Sequence, residues 1–352
     1  MKNKILIIGG YGKVGRIISE QLAVRFPHKV IVAGRNLKKA EALAKKLNHT
    51  VIPYALDINS LAEDSILANT KLVLMCIDQK DTDFVALCIK NKVHYMDITA
   101  SMDFITQVEA LDEQAQQANT TVALSVGLAP GITNLLTQHA INQLPKAPLA
   151  DIFILLGIGE KHGDAAYRWT FDNIHSTYEI QDKEKAVHIK SFSQPKTTHL
   201  LGKRTFYTFN FSDQHTLSKT LNTSEIRTRM AFDSRFLTLL IALSRKLGLT
   251  RIFTNPKIQN LFIALFKKMP WGSAVFAVKV TVENEAKQTY HCSLTGEDEG
   301  KITAYVAIEM ALHVLQNNTV SGVQHIHQMI PDIPQFLENL KQYNPTLEIE
   351  IK

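Results

Sequence analysis

The sequence predicts an α/β fold in which a doubly wound parallel sheet is followed by a second, α+β domain. Three observations support this prediction: six short apolar runs alternate with helical patterns in the first third of the chain, a glycine-rich turn follows the first run, and the strand-like runs of the second half are separated by longer connections. Alternating strands and helices are typical of parallel sheets covered on both faces, whereas long connections favour a mixed or antiparallel sheet.

The six strands predicted in the first domain are apolar runs bounded by polar residues or glycine, with lengths suited to buried parallel strands. They cover residues 4–9, 29–34, 51–56, 71–77, 93–98 and 121–126. Helical patterns fill most of the intervals, including a charged surface helix over 38–47 and a helix over 104–118. This order predicts two βαβαβ halves in one sheet.

The second half begins with a predicted helix over 132–144. Its predicted strands cover residues 151–158, 186–192, 203–211, 275–282 and 288–295, and a last helix runs over 297–315. We expect this helix to pack back against the first domain. The predicted domains are therefore 1–130, with 301–352 returning to it, and 131–300.

Composition limits the function classes. The chain has 352 residues, is 45% hydrophobic and carries a formal charge of +6, which is too dilute to predict a nucleic-acid partner but is compatible with a small anionic ligand. No serine–histidine–aspartate or HExxH pattern supports hydrolysis or metal catalysis, and no metal site is expected.

The three cysteines, Cys76, Cys88 and Cys292, lack CxxC spacing and an even count. They predict neither a zinc site nor a disulfide framework, so a reducing, cytoplasmic location is expected. The apolar run at the N-terminus is too short for a signal peptide, and no uncharged apolar run is long enough to span a membrane.

A glycine fingerprint follows the first predicted strand and opens the first predicted helix. It reads Gly10-Tyr11-Gly12-Lys13-Val14-Gly15, which has the G-x-G-x-x-G spacing of a dinucleotide-binding turn. In such a turn the first glycine permits the tight bend, the second lets the main chain approach a pyrophosphate, and the third lets helix and strand pack closely. We therefore expect all six residues to bind the cofactor, with the helix N-terminus facing the phosphates.

The end of the second predicted strand indicates which dinucleotide binds. A carboxylate about 20 residues beyond the fingerprint would bind a ribose hydroxyl, but this chain has Arg35 and Asn36 there, followed by Lys38 and Lys39. The planar guanidinium of Arg35 suits a phosphate, so NADP is expected rather than NAD; the alternative is that these cations form a solvated helix start.

Three further residues at strand ends are candidate cofactor contacts. Asp57 is placed to accept a hydrogen bond from the adenine amino group, or else to cap the next helical turn. Cys76 and Ile77 end the fourth predicted strand and would lie over the cofactor, although Cys76 also suits a small apolar filler in the core.

The sequence resembles the saccharopine dehydrogenase-like (saccharopine reductase type) NADP-binding oxidoreductases. The resemblance rests on the glycine fingerprint, on 33–36 with the helix that follows, on 95–97 and on 127–131, and more loosely on 159–163, 272–276 and 303–304. It implies an NADP-dependent oxidoreductase with a Rossmann domain and a substrate domain whose sheet can also form a homodimer. Relatives that handle amino-acid adducts typically read Asp-Pro-Gly where this chain has Ala129-Pro130-Gly131, so the substrate is left open.

Four residues are candidates for catalysis of hydride transfer between NADPH and a C=N or C=O substrate in an interdomain cleft. Tyr95 and Asp97 end the fifth predicted strand, where they would border the nicotinamide. His162 is the best candidate for a proton donor, with Lys161 as the alternative donor or as a carboxylate ligand. Each could also have a purely structural role, and a catalytically idle NADP-binding protein used for assembly, sensing or membrane attachment is the alternative function.

The segment 234–268 is apolar and basic. No aspartate or glutamate occurs in 234–282, while arginines and lysines punctuate apolar runs at 236–243 and 261–266. Two such helices could form packing between domains or subunits, cover an apolar pocket, or make peripheral membrane contact in the headgroup region.

Overall fold

The computed structural model describes residues 2–60, 65–160, 163–182, 185–221, 223–268, 272–316 and 320–351. The chain divides into two compact units, one formed by Met1–Gly131 with Gly300–Asp332 and the other by Ile132–Glu299 with Ile333–Lys352. The predicted α/β class is confirmed: one unit contains a wholly parallel sheet and the other a mixed sheet.

The first unit contains the six predicted strands and a seventh from later in the chain. The strands are β1 Lys4–Ile8, β2 Val30–Gly34, β3 Val51–Ala55, β4 Thr70–Met75, β5 His94–Asp97, β6 Thr121–Leu124 and β15 Gly322–His325. Their order across the sheet is β15-β6-β5-β4-β1-β2-β3. Because β1 pairs with β2 on one side and β4 on the other, the chain reverses direction across the sheet there, which creates a crevice beyond the carboxyl ends of β1 and β4.

Helices connect these strands. They are α1 Lys13–Arg25, α2 Leu37–Lys46, α3 Ile66–Asn69, α4 Asp83–Lys90, α5 Met102–Glu109 and α6 Asp112–Gln117. Each longer helix buries an apolar stripe, as α1 does with Ile18, Leu22 and Ala23. The central strands are buried along nearly their whole length, which is why they appear in the sequence as mainly apolar runs.

The second unit combines helices with a nine-stranded mixed sheet. Its strands are β7 Leu149–Leu156, β8 Thr177–Asp182, β9 Lys185–Lys190, β10 Lys196–His199, β11 Lys203–Thr208, β12 Glu225–Phe232, β13 Val275–Glu283, β14 Thr289–Glu297 and β16 Glu348–Glu350. Its helices are α7 Ile132–Gln143, α8 Asp164–Ile174, α9 Ser212–Thr220, α10 Arg235–Lys246, α11 Pro256–Lys268 and α14 Ile333–Asn339, with 3-10 turns at Leu249–Thr254 and Leu340–Gln342.

The mixed character of this sheet has a simple origin. β7 and β12 run parallel, while β13 and β14 form an antiparallel hairpin whose first strand pairs with β7. The predicted strand over 151–158 is β7, shifted by two residues. The runs over 186–192, 275–282 and 288–295 overlap β9, β13 and β14, and the run over 203–211 contains β11. Sequence analysis missed β8, β10, β12, β15 and β16.

The C-terminal residues are shared between the units. Helix α12 Glu299–Leu315, β15 and the short helix α13 Ile326–Met329 follow one another, and Gly300–Asp332 belongs to the first unit. The prediction that all of 301–352 belongs to that domain holds only in part. Residues from Ile333 onward belong to the second unit because α14 contacts α7 and β16 pairs with β14.

Candidate functional site

The glycine turn between β1 and α1 has no room for larger side chains. Gly9 adopts φ +76°, and the Gly12 N–H donates a hydrogen bond to the Gly9 carbonyl over 2.8 Å. A Cβ at Gly10 would lie 2.9 Å from the Ile7 carbonyl oxygen, and one at Gly15 would strike the Gly9 carbonyl and approach the Gly10 Cα to 2.9 Å. The turn therefore has the tight bend and the close helix–strand packing expected from the fingerprint.

A buried serine of α1 supports this turn through hydrogen bonding to its main chain. The Ser19 hydroxyl is placed to hydrogen-bond the carbonyl oxygens of Gly10, at 3.0 Å, and Gly15, at 2.8 Å. Gly12 caps α1 without contributing a side chain, and both Gly12 and Lys13 are exposed. The first N–H groups of a helix have no intrahelical acceptor, and the helix dipole favours an anion there, so this end of α1 is suited to a phosphate group.

Tyr11 joins the glycine turn to the end of β2. Its hydroxyl accepts a hydrogen bond from the Asn36 N–H over 3.1 Å, and its ring lies over Gly34, where an added Cβ would come within 2.7 Å of the ring carbon Cζ. Asn36 also caps α2, because its side-chain oxygen accepts from the Lys39 N–H over 3.2 Å. Arg35, between Gly34 and Asn36 in the chain, is exposed.

The charges around Arg35 favour an additional anion. Lys38 and Lys39 are exposed on the first turn of α2, whose first turn contains no acid. Asp57, beyond the end of β3, is exposed, and its pKa is lowered chiefly by hydrogen bonds from the Asn59 N–H and side-chain amide, with smaller contributions from the charges of Arg35 and Lys80. Asp57 is therefore ionised at neutral pH and available as an acceptor.

Cys76 and Ile77 lie where β4 ends. The Ile77 side chain is 43% exposed, and its Cγ2 lies 2.6 Å from the position of a Cβ at Gly9, so it covers the glycine turn. Cys76 is half-buried, and the pKa of its thiol is raised well above the ordinary value by burial and then by the charge of Asp97. Cys76 is thus a protonated, unreactive thiol at neutral pH.

Tyr95, Asp97 and Gln79 form a buried hydrogen-bonded cluster next to this end of β4. The Tyr95 hydroxyl donates to Asp97 Oδ2 over 2.5 Å, and the Gln79 amide donates to Asp97 Oδ2 over 2.9 Å and to the Tyr95 oxygen over 2.6 Å. The Thr99 N–H donates to the other oxygen, Asp97 Oδ1, over 2.8 Å. Tyr95 is 0% and Asp97 1% exposed, so both lie beneath the surface of this unit.

Burial raises the pKa values of both Asp97 and Tyr95. It raises the pKa of Asp97 to about 7, with Asp78 adding to the increase and the hydrogen bonds from Tyr95, Thr99 and Gln79 opposing it. The pKa of Tyr95 is also raised, by burial and then by the Asp97 charge. Asp97 therefore exchanges a proton near neutral pH, in a cluster whose other members stay neutral.

The residues present in the first unit fit a dinucleotide. The glycine turn forms a cradle that side chains would fill, α1 begins beside it, and the exposed cation Arg35 lies at the end of the neighbouring strand. Gln79 Oε1 is buried and has no hydrogen-bond partner among the described residues, so an acceptor remains at the end of β4 for a ligand N–H group.

Two predicted catalytic residues, Lys161 and His162, lie outside the described residues. The two residues before them are held by hydrogen bonds to the residues that precede β13 and to the start of α12. The Gly159 N–H donates to the Ser273 carbonyl over 2.9 Å, and Glu160 accepts from the Glu299 N–H over 2.6 Å. The donor roles of His162 and Lys161 stay predictions.

The structure also brings together three residues that the sequence did not connect. Ser125 Oγ lies 2.8 Å from His325 Nδ1, and His325 Nε2 lies 3.2 Å from Glu109 Oε1. Ser125 directly follows β6, with φ +59°, and is 0% exposed, while His325 is 3% exposed. The order resembles a hydrolytic relay, but a substrate carbonyl has no access to a fully buried hydroxyl, so we interpret it as a support that joins β6, β15 and α5.

The sheet order and the glycine turn at its reversal point define a dinucleotide-binding domain of the kind used by nicotinamide-dependent oxidoreductases. Residues 5–123 match the family model for the saccharopine dehydrogenase NADP binding domain. The first domain is therefore similar to the NADP-binding domain of saccharopine dehydrogenase, and the resemblance inferred from the sequence is confirmed. No curated protein matches the chain.

Solved structures extend the likeness to the whole fold. Apo saccharopine dehydrogenase (L-Glu forming) from Saccharomyces cerevisiae is similar with a TM-score of 0.66 and 16% identity, over 99% of both chains. A mutant meso-dapdh from Clostridium tetani E88 with DAP gives a TM-score of 0.49 and 14% identity, over 96% of this chain and 99% of its own. At 16% identity, the match to saccharopine dehydrogenase shows that the fold is shared. Together with the family match, it supports an oxidoreductase that uses a nicotinamide cofactor.

Proposed function

We propose that this protein is an NADP-dependent oxidoreductase that transfers a hydride between NADPH and a C=N or C=O group of a small molecule. One observation carries the choice of cofactor: Arg35 is exposed at the end of β2, beside a glycine turn, where an NAD-specific domain would present a carboxylate. Lys38 and Lys39 reinforce the positive charge there.

The glycine turn supports the same proposal from the phosphate side. The turn and the start of α1 would bind the pyrophosphate through main-chain N–H groups. The Tyr11 hydroxyl accepts a hydrogen bond from the N–H of Asn36, the neighbour of Arg35, over 3.1 Å and would thereby hold Arg35 in place. Arg35 would then donate to the 2′-phosphate and Asp57 would accept from the adenine. Ile77 would cover the cofactor at the end of β4.

A bound nicotinamide supplies or accepts the hydride. The protein must orient the reacting partners and supply a proton to the nitrogen or oxygen that gains the hydride. His162, or Lys161 in its place, is the proposed proton donor. Because Tyr95 and Asp97 are fully buried, we assign them a positioning role in which they hold Gln79 with its free Oε1 toward the ligand.

We further propose that the enzyme works as a homodimer in the cytoplasm on a small substrate. The three cysteines are unpaired in the structure, in keeping with a reducing compartment. Light scattering coupled to gel filtration measures the subunit number directly, and a monomeric mass would remove the dimer from this proposal.

The alternative function is a catalytically idle NADP-binding protein. The burial of Tyr95 and Asp97 favours it, because neither side chain can touch a substrate in this arrangement. In that case the glycine turn and Arg35 still bind NADP, while the second unit serves assembly, sensing or membrane attachment.

Oxidation of NADPH in the presence of imines, ketones and aldehydes distinguishes the two functions. The enzyme proposal predicts turnover with at least one acceptor class, and a loss of roughly 10²- to 10⁴-fold in kcat for His162→Gln with unchanged NADPH affinity. Lys161→Met is the matched variant for the alternative donor. Tight NADPH binding without turnover on any acceptor class would favour the idle protein.

A further inference from the structure

The helices of the segment 235–268 expose an unusual amount of apolar surface. Of the fourteen large apolar side chains that are strongly exposed among the described residues, nine lie in this segment. They are Phe236, Leu239, Leu240, Leu243, Leu247, Leu249, Ile252, Leu261 and Leu265. Single exposed leucines are ordinary on a protein surface, but a concentrated apolar patch marks a site of interaction.

Helix α10 is oriented with its apolar stripe toward solvent. Phe236, Leu240, Leu243 and Leu247 recur at intervals of three or four residues, and Phe236 and Leu247 are 75% and 72% exposed. The residues that α10 buries are instead small or polar, and Thr238 is an example, since its hydroxyl accepts a hydrogen bond from the Phe232 N–H over 2.9 Å. The helix is therefore attached by its less apolar face.

The rest of the segment is held firmly in the fold. Phe253 of the connecting 3-10 turn packs against Phe171 of α8 at 4.8 Å between ring centroids, and edge-to-face against Phe262 of α11 at 5.1 Å. Arg245 of α10 donates to the carbonyl oxygens of Ser176, over 3.1 Å, and Ser191, over 3.2 Å. The exposed leucines thus belong to a packed structure that still leaves them in water.

Charge identifies the partner. The segment's exposed cations are Arg235, Lys246, Arg251, Lys257 and Lys268, and 234–282 contains no acid. The acids that contact the segment from its flanks are engaged: Asp172 accepts from the Gln259 amide over 2.5 Å, and Asp233 accepts from the N–H groups of Ile158, Ser234 and Ser273.

Protein–protein interfaces are depleted in lysine, whereas leucine and phenylalanine flanked by lysine and arginine suit the boundary between anionic headgroups and acyl chains. We propose that the segment 235–268 docks peripherally on a membrane that contains anionic lipid. The apolar side chains enter the headgroup–acyl boundary, and the cations bind lipid phosphates or carboxylates. None of the helices in the described ranges is long and apolar enough to cross a membrane. This docking is independent of cofactor binding, which uses residues of the other unit.

Cosedimentation of the full chain with vesicles tests the proposal. We expect binding to vesicles of phosphatidylcholine with phosphatidylserine, weaker binding to phosphatidylcholine alone, and release at high salt, because exposed charges are screened. Phe236→Gln combined with Leu247→Gln should lower the partition coefficient by roughly tenfold or more, as each lost contact removes burial of a large side chain. The matched control is Val24→Gln, since Val24 is 81% exposed on the other unit.

A charge-reversal pair isolates the electrostatic part. Lys246→Glu with Arg251→Glu should abolish the preference for anionic vesicles, whereas Lys29→Glu with Lys90→Glu, exposed residues of the other unit, should leave it nearly unchanged. Circular dichroism checks that each variant is folded. Failure of the unmodified chain to sediment with anionic vesicles would overturn the proposal, as would equal binding of the Phe236/Leu247 variant. A dimer that becomes monomeric in that variant, without vesicle binding, would instead assign the surface to subunit contact.

Discussion

The ring of Tyr11 covers Gly34 so closely that a Cβ added at Gly34 would lie 2.7 Å from its Cζ atom. The two residues connect the glycine turn with the end of β2, where Arg35 is proposed to select the cofactor. A side chain at Gly34 and the present position of Tyr11 are therefore incompatible.

Alanine substitutions at two glycines should have different effects. Gly34→Ala displaces only the end of the Tyr11 side chain, so we expect weaker NADPH binding and a small change in stability. Gly15→Ala meets backbone atoms of Gly9 and Gly10, so it should lower the free energy of unfolding by about 1–3 kcal/mol. Urea unfolding and NADPH titration measure the two effects. The control is Gly163→Ala, where no atom lies within 4 Å of the added Cβ; equal destabilisation at Gly15 and Gly163 would contradict the packing argument.

Arg35→Asp should move the cofactor preference from NADP toward NAD. The substitution removes a cation from the expected 2′-phosphate site and introduces the carboxylate that binds a ribose hydroxyl. A charged hydrogen bond contributes about 1.5–3 kcal/mol, so NADPH affinity should fall by roughly 10- to 100-fold, measured by calorimetry. Lys29→Asp, an equal charge change at an exposed position before β2, should have little effect. An unchanged NADPH-to-NADH ratio in Arg35→Asp would remove Arg35 from this role.

Asp97 should make the protein less stable as pH rises toward neutrality. Burial raises its pKa from 3.8 to about 7, so the folded chain holds a proton that the unfolded chain has released. The resulting stabilisation, on the order of a few kcal/mol, is fully present below the unfolded value and is lost as pH rises through about 7. We expect Asp97→Asn to flatten the decline in the free energy of unfolding between pH 5 and 8.

The matched control for that measurement is Asp57→Asn. Asp57 is exposed and its pKa is lowered, so its own contribution is lost only as pH falls below its ordinary value. Its replacement should leave the slope between pH 5 and 8 unchanged. Parallel curves for the unmodified chain and Asp97→Asn would show that the Asp97 carboxyl is not protonated in the folded state.

Ser125→Ala tests whether the hydrogen-bonded trio of Ser125, His325 and Glu109 is structural. Loss of the hydroxyl leaves a buried ring nitrogen of His325 without its partner, which should cost about 1–3 kcal/mol of stability. Thermal unfolding measures this cost, and the exposed Ser60→Ala provides the control. A Ser125-dependent hydrolysis of an activated ester would contradict the structural interpretation.

The first sheet could be predicted because its information is local. The central strands β1, β2 and β4 are almost wholly buried, so their sequences are nearly unbroken apolar runs, and the glycine spacing states the geometry of the turn directly. The exposed position of Arg35 could be predicted for the same reason, since Arg35 directly follows β2 in the sequence.

What was missed depends on partners that are distant in the chain. Strand β12 contains Arg229, and this arginine is buried only because Asp151, 78 residues away, forms an ion pair with it. Ser125 and His325 are 200 residues apart, and β15 is a short polar edge strand whose pattern resembles a loop. Sequence could not predict which face of α10 is exposed, because an amphipathic pattern is the same whether the apolar stripe faces inward or outward.

Titration of the purified chain with NADPH and NADH tests the central claim most directly. If the glycine turn and Arg35 bind a phosphorylated dinucleotide, NADPH should raise the free energy of unfolding by about 2.7 kcal/mol at roughly 100 times its Kd, and NADH should bind at least about tenfold more weakly. The contradicting result is a chain whose thermal unfolding and fluorescence respond to neither nucleotide, or that prefers NADH.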